Sequence, residues 1–304
     1  MSMFSAIRDF FADISPSWVV MIFARPYVAG ETVDSALATA KKLYEEHGIL
    51  VTADILGEST TDTEKTEKWV SDYIELQRSL LDIPGAGVSV KPTAMGLLVS
   101  EEFCRDNITR IVSESAKMKR YVRIDIEDKT TTDATIRIYR HLLDKGFDNV
   151  GMVFQAYLHR TYDDIAALFD DGYKPNLRIC KGIYKADRDF STMEEINDNF
   201  VKLTKLIVER GGYAALATHD IPLIDRISAD VIKPAKVPSD AFEWQMLLGV
   251  PVEKKQQELL AKGEKVRMYL PYGPRKDAAA YCKRRFKENP KLFFFIVKNL
   301  FTKN

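Results

Sequence analysis

The sequence predicts an α/β protein, a TIM-like (β/α)8 barrel with extra N-terminal helices and a C-terminal helix over the barrel mouth. Three observations predict the barrel. Eight short strand-like runs recur along the chain. Helical patterns separate them, and successive runs begin roughly thirty residues apart, the size of one βαβ unit. No low-complexity stretch or Pro/Gly-rich linker divides the 304 residues, and barrels often run to roughly 250 residues as one unit. An open doubly wound sheet is the alternative that the same alternation allows.

Residues 1–45 read as a helical segment packing on the barrel, and 46–304 as the barrel itself. Near the start, SMFSAIRDFFADI sets Phe4, Ile7, Phe10 and Phe11 on one helical face. Such a stripe suits core packing or interfacial attachment to a membrane. The strand runs are VTADIL (51–56), AGVSVKPT (86–93), YVRIDIE (121–127), NVGMVFQAY (149–157), LRICKGIY (177–184), YAALATH (213–219), FEWQMLL (242–248) and VRMYLPYG (266–273). The seventh also reads as a helical turn. Between them lie helical segments such as TEKTEKWVSDYIELQRSLLD, SEEFCRDNITRIVSESAKM and MEEINDNFVKLTKLIVERG. Asp, Ser or Thr near their starts and Gly near several ends are the expected caps. The final aromatic run, LFFFIVKNLF (292–301), suits packing on the barrel, or contact with a partner or bilayer.

The chain is 46% apolar and 29% charged, as in ordinary soluble globular proteins. Lys+Arg and Asp+Glu both number 44, so nothing in the charge balance calls for a nucleic-acid partner. Cys104, Cys180 and Cys282 are odd in number and far apart, which argues for a reducing compartment and against a disulfide framework. His47, His141, His159 and His219 show no metal-ligand spacing, so no metal is expected. The apolar run WVVMIFA (18–24) falls short of the roughly 18 residues a spanning helix needs, and no signal-cleavage pattern follows it. The expected location is cytoplasmic, with peripheral attachment to the inner face of the cell membrane as the alternative.

Active groups of a barrel sit at the C-terminal ends of its strands. Those ends carry Glu58, Lys91, Asp125, Gln155, Arg178 with Lys181, Thr218 with His219, Gln245, and Tyr269. Each alone is where a chain meets water; their coincidence on one rim is informative. Lys91, Arg178, Lys181, Arg284 and Arg285 outnumber Glu58, Asp125 and Glu288, so the rim predicts an anionic ligand, carboxylate or phosphate. On the last helix Tyr281, Arg284, Arg285 and Glu288 fall at i, i+3, i+4 and i+7. That stripe reads as a solvated face with an Arg284–Glu288 pair, or as one turned to a ligand.

KGIYKAD (181–187) lies where a strand meets the next helix, so Lys181 and nearby backbone N–H groups can receive a pyrophosphate. No GxGxxG or GxxxxGK[ST] supports a Rossmann or P-loop site. No serine or cysteine has an evident histidine partner for acyl transfer. Lys91 and Lys181 are Schiff-base candidates in principle, against which stand the other cations around Lys91.

At these residues the sequence resembles the proline dehydrogenases in their single-function bacterial form, which share the catalytic barrel of the larger bifunctional proline-catabolic enzymes. The resemblance runs from about Asp54 to Phe295. It rests on DILGE (54–58), VSVKPTAMG (88–96), RIDIED (123–128), FQAYL (154–158), LRICKGIY (177–184), ATHD (217–220), FEWQMLLG (242–249), MYLPYG and YCKRRFKEN, in order and at the right spacing.

It implies a flavin enzyme that uses FAD to oxidise L-proline to Δ1-pyrroline-5-carboxylate, with a membrane quinone as electron acceptor. The pyrroline-5-carboxylate dehydrogenase that follows is then a separate protein. By motif, Lys91, Arg284 and Arg285 resemble the clamp on the proline carboxylate, and Glu58 the gate partner of Arg284. Asp125 and Tyr269 resemble walls of the ring site, and Leu247 and Tyr281 match positions that touch substrate. Ile126, Gln155, Arg178, Lys181, Gly182, Ile183, Thr218, His219 and Gln245 match FAD positions, with Arg178 near flavin N5. Asp125 and Arg178 are thereby the catalytic candidates, and Glu288 orients the clamp or contacts flavin. KGIY in place of KGAY, ATHD in place of ATHN, and Pro92 after Lys91 depart from the family pattern and bear on cofactor affinity.

Such chemistry asks a protein to hold a carboxylate and press a ring on a flavin, which agrees with a rim poor in histidine. Hydroxyproline is the nearest alternative substrate, and Tyr269 resembles the proline-selective form. A Schiff-base lyase and an amino-acid-sensing barrel are the rival readings.

Overall fold

The computed structural model describes residues 25–183 and 185–288. The Phe4–Phe11 stripe, the 18–24 run and the 292–301 run lie outside them. Eight strands form one closed, wholly parallel barrel in chain order. They are β1 (Leu50–Ile55), β2 (Gly87–Val90), β3 (Tyr121–Ile124), β4 (Val150–Gln155), β5 (Asn176–Cys180), β6 (Tyr213–Ala217), β7 (Phe242–Leu247) and β8 (Val266–Tyr272). The ladder of β1 against β8, Leu50 opposite Arg267 through Ile55 opposite Tyr272, closes the barrel and removes the open-sheet alternative. FEWQML is a strand, paired with both β6 and β8.

All eight strands stop one to four residues earlier than the sequence predicts, and at β2 and β5 the backbone gives the reason. β2 ends at Val90 because the Lys91 and Pro92 carbonyls are taken by a helical turn, through the N–H groups of Ala94 and Met95. β5 ends at Cys180 because the backbone turns at Gly182, where φ is +102°. Pro92 therefore lies outside the ladder, where its missing N–H costs nothing.

The helices are α1 (Val33–His47), α2 (Thr63–Ser79), α3 (Glu101–Lys117), α4 (Thr132–Asp144), α5 (Thr161–Asp170), α6 (Met193–Glu209), α7 (Ile221–Ile227), α8 (Glu253–Ala261) and α9 (Arg275–Glu288). Several start on the caps the sequence offers. Thr32 and Thr192 form reciprocal capping boxes, and Asp62, Ser100 and Asp220 each accept a first-turn N–H. Alternation along each strand divides the packing. Val51, Val88, Val122, Met152, Ile179, Leu216, Trp244 and Leu270 are wholly or nearly wholly buried members of the apolar core between sheet and helices.

The other strand face is polar and fills the barrel interior. Near its N-terminal end Glu243 accepts from Arg267 Nε at 2.7 Å, while Arg123 donates to Met152 O and Asn176 O at 3.0 Å each. Gly151 makes room for this layer: a Cβ there would lie 1.8 Å from the Tyr121 hydroxyl and 2.6 Å from Arg123 Nη1.

α1 packs on β1 and β8. It thus takes the place in the outer ring between last and first strands, and leaves α9 to cover the mouth. Ala278, Ala279, Tyr281 and Cys282 of α9 pack on Tyr27, Val28 and Leu56, the last just beyond β1. The segment before α1 is tied to the strand below it by Ala29 N–H to Pro271 O at 2.8 Å and Gly273 N–H to Gly30 O at 3.1 Å. No helix among the described residues is long and apolar enough to cross a membrane.

Candidate active site

A cavity of about 550 Å³ opens at the C-terminal ends of the strands. Every predicted site residue whose side chain is described lines it. β1 to β4 and the turns after them supply Glu58, Lys91, Asp125, Ile126 and Gln155. β5 and its turn bring Arg178, Lys181, Gly182 and Ile183. β6 to β8 bring Thr218, His219, Gln245, Leu247 and Tyr269, and α9 adds Tyr281 from above. Arg284, Arg285 and Glu288 belong to α9, and their side chains lie outside the described ones.

Asp125 is the centre of the floor. Ser89 Oγ donates to it at 2.7 Å, Arg178 Nη1 at 2.8 Å and the Tyr269 hydroxyl at 3.0 Å. Ser89, Arg178 and Tyr269 come from β2, β5 and β8, and Asp125 from the residue just after β3, so closure of the barrel is what converges them. The Arg178 guanidinium also lies 5.5 Å from the Tyr269 ring centroid. Burial, and then the nearby Asp125 and Asp54 carboxylates, push the Tyr269 phenol well above its ordinary range, so it stays a donor.

Lys91 differs from the sequence expectation. Its ammonium sits 2.5 Å from Asp54 Oδ1, and Asp54 is fully buried and also receives the Tyr73 hydroxyl at 3.3 Å. Burial opposes the Lys91 charge, yet Asp54 at contact, with Asp125 and Glu127 beyond it, outweighs burial and raises the pKa. Lys91 is thus among carboxylates rather than other cations. The same holds for Arg178 with Asp125 and for Lys181, whose Nζ lies 2.5 Å from Asp220 Oδ2. The predicted cationic excess is offset at each of these three positions. A count along the sequence missed this because Asp54 lies inside a strand and Asp220 caps a helix. Asp54 does leave one sequence signal, a carboxylate at a barrel-facing position of VTADIL.

Glu58 is set by a small clasp. The next residue, Ser59, has φ of 52°, and its N–H donates to Thr93 Oγ1 at 3.0 Å. Thr93 gives its N–H and hydroxyl to the two Glu127 oxygens at 2.8 and 2.6 Å. Glu127 then accepts at its backbone carbonyl from Gln155 Nε2 at 3.0 Å. Burial raises the Glu127 carboxyl despite the Thr93 donors.

On the far wall Leu247 N–H donates to His219 Nε2 at 2.7 Å, which leaves the ring proton of a neutral imidazole on Nδ1. Gly182 passes so close to Tyr157 that a Cβ would lie 1.6 Å from its ring. Gln155 Oε1 and Arg178 Nε are buried and have no hydrogen-bond partner among the described residues.

A proline dehydrogenase family model matches residues 36–295. Proline dehydrogenase 1 of Bacillus subtilis (strain 168) is 35% identical over 283 residues, 92% of this chain and 91% of that protein. The proline dehydrogenase of Deinococcus radiodurans is 33% identical over 287 residues, 91% of this chain and 89% of that one. Among solved structures, proline utilization A (PutA) from Bdellovibrio bacteriovorus inactivated by N-propargylglycine superposes with a TM-score of 0.80 at 23% identity. The alignment covers 88% of this chain but 33% of that larger one, so it bears on the fold alone. Matched along nearly its whole barrel by the family model and by these relatives, the chain belongs to the proline dehydrogenase family.

Proposed function

We propose that the protein binds FAD across the barrel mouth and oxidises L-proline to Δ1-pyrroline-5-carboxylate, with a membrane quinone as final electron acceptor. The observation that carries this reading is the convergence of Lys91, Asp125, Arg178 and Tyr269 on one cavity floor in a chain of this family. The cavity also fits a flavin. Gln155 Oε1 and Arg178 Nε, both buried and unpartnered among the described residues, are an acceptor and a donor awaiting a polar ligand. Lys181 and Arg188 line the side where a dinucleotide's phosphates would lie, and Gly182 keeps the turn beside Tyr157 open.

When bound, the flavin supplies the two-electron acceptor for the hydride from proline C5. The chain supplies position and charge. Lys91, held protonated by Asp54, offers its ammonium to the substrate carboxylate together with Arg284 and Arg285. Asp125 fixes Arg178 and Tyr269 in one orientation, so the ring site is preorganised rather than assembled on binding. Tyr269 lines the cavity and resembles the proline-selective form of the family, in which its ring would crowd a hydroxyproline hydroxyl; Tyr269→Ser should therefore relax the preference for proline. A Schiff-base lyase needs a neutral lysine amine, and the Lys91–Asp54 pair favours the charged form, which argues against that reading.

An absorbance scan of the purified protein, followed by anaerobic titration with proline, tests the proposal. Expected is a flavin spectrum that bleaches with proline. A colourless protein trapped by borohydride with substrate would favour the lyase, and proline binding without any flavin a sensor. Arg284→Met or Arg285→Met should raise the KM for proline by about 2–3 kcal/mol in binding terms, the cost of a charge-assisted contact.

A further inference from the structure

We propose that Asp220 sets how tightly this protein holds its dinucleotide, by competing with the cofactor's phosphates for Lys181. The inference rests on the reading that the dinucleotide lies against Lys181. Lys181 Nζ and Asp220 Oδ2 are 2.5 Å apart, and both side chains line the cavity. The carboxylate is not free to follow its partner. Its Oδ1 accepts the Leu223 N–H at 3.4 Å as the N-cap of α7, and its own N–H donates to Thr218 Oγ1 at 3.1 Å. The second cation on this wall, Arg188, already gives Nε to Phe190 O at 2.5 Å.

A phosphate approaching Lys181 therefore meets an ammonium with a fixed carboxylate on it. The ammonium has three donors and can serve both anions, but the anions then repel each other across one cation. The side chains are 21% and 30% exposed, so solvent and salt screen the effect without removing it. The binding penalty is on the order of tenfold, as expected of a half-solvated charge opposing a ligand. Asparagine at 220 would keep a capping oxygen for Leu223 and remove the charge.

The experiment titrates flavin-stripped protein with FAD by flavin fluorescence, at low and high salt, for wild type, Asp220→Asn, Lys181→Met and the double variant. Far-UV circular dichroism melts run alongside, and Asp220→Ser serves as a second cap-preserving variant. Expected is roughly tenfold tighter FAD binding for both Asp220 variants, a gain that shrinks at high salt and vanishes in the Lys181→Met background. If Lys181→Met leaves FAD affinity unchanged, the dinucleotide does not lie against Lys181, and the underlying reading fails with the inference. If Lys181→Met weakens binding while the Asp220 variants melt as wild type and bind no tighter, the competition alone is overturned.

Discussion

Replacing Asp125 by alanine removes the acceptor on which three donors converge, and the cost is set by what is left behind. Arg178 loses its contact at 2.8 Å while its side chain remains 7% exposed, and its Nε already lacks a partner among the described residues. Removing one member of a buried ion pair costs about 3–5 kcal/mol. The Ser89 and Tyr269 hydroxyls lose their acceptor as well, at roughly 1 kcal/mol each. The cavity admits water to the guanidinium and to both hydroxyls, which brings the loss below the simple sum, to about 3 kcal/mol. Removing both charges leaves only neutral hydroxyls unpaired, so Asp125→Ala/Arg178→Met should be more stable than Asp125→Ala by on the order of 1–2 kcal/mol. Urea titration followed by far-UV circular dichroism measures both differences. A loss under about 1 kcal/mol for the single variant, or a double variant less stable than the single, refutes the argument that Asp125 is the compensating charge.

At the other end of the barrel, burial alone would raise the Glu243 carboxyl, but Arg267 and then Gln245 pull it from an ordinary 4.5 to about 2. A depressed carboxylate stabilises above its unfolded pKa and loses that contribution as pH falls through the folded one. Glu243→Gln should therefore cost about 3 kcal/mol at neutral pH, and the gap to wild type should close between pH 4.5 and about 2; a constant gap in urea midpoints across that range contradicts it. Gly182→Ala puts a Cβ 1.6 Å from the Tyr157 ring at φ of +102°, a strain of roughly 1–3 kcal/mol that should displace the turn. Flavin binding should weaken at least about tenfold with the far-UV spectrum unchanged; equal affinity to wild type rules the strain out. Thr93→Val keeps the shape but strips the hydroxyl from the Glu127 and Ser59 contacts, at about 1–3 kcal/mol. With Glu58 less firmly set, steady-state kinetics should show a raised KM for proline and a nearly unchanged kcat; a fall confined to kcat contradicts a positioning role.

The strands and most helices were legible in the sequence because their signals are local: alternation along VTADIL or VRMYLPY, and caps such as Ser100 and Thr192 ahead of amphipathic runs. Strand ends were less so, since β2 stops where the Lys91 and Pro92 carbonyls turn back on a helical turn. The rim residues could be named because parity and the barrel rule put them at strand ends, and all those described do meet in one cavity. Their partners could not. Asp54 lies 37 positions from Lys91, Asp220 lies 39 from Lys181, and Asp125 lies 53 from Arg178. Periodicity reports which side chains share a face, whereas charge compensation depends on distances across the closed barrel. The sequence by itself therefore determined the eight-fold βα order and the set of groups at the mouth. Only the tertiary structure decided that each described lysine and arginine of that set carries a carboxylate, because Coulomb energy is fixed by separation in space and not along the chain.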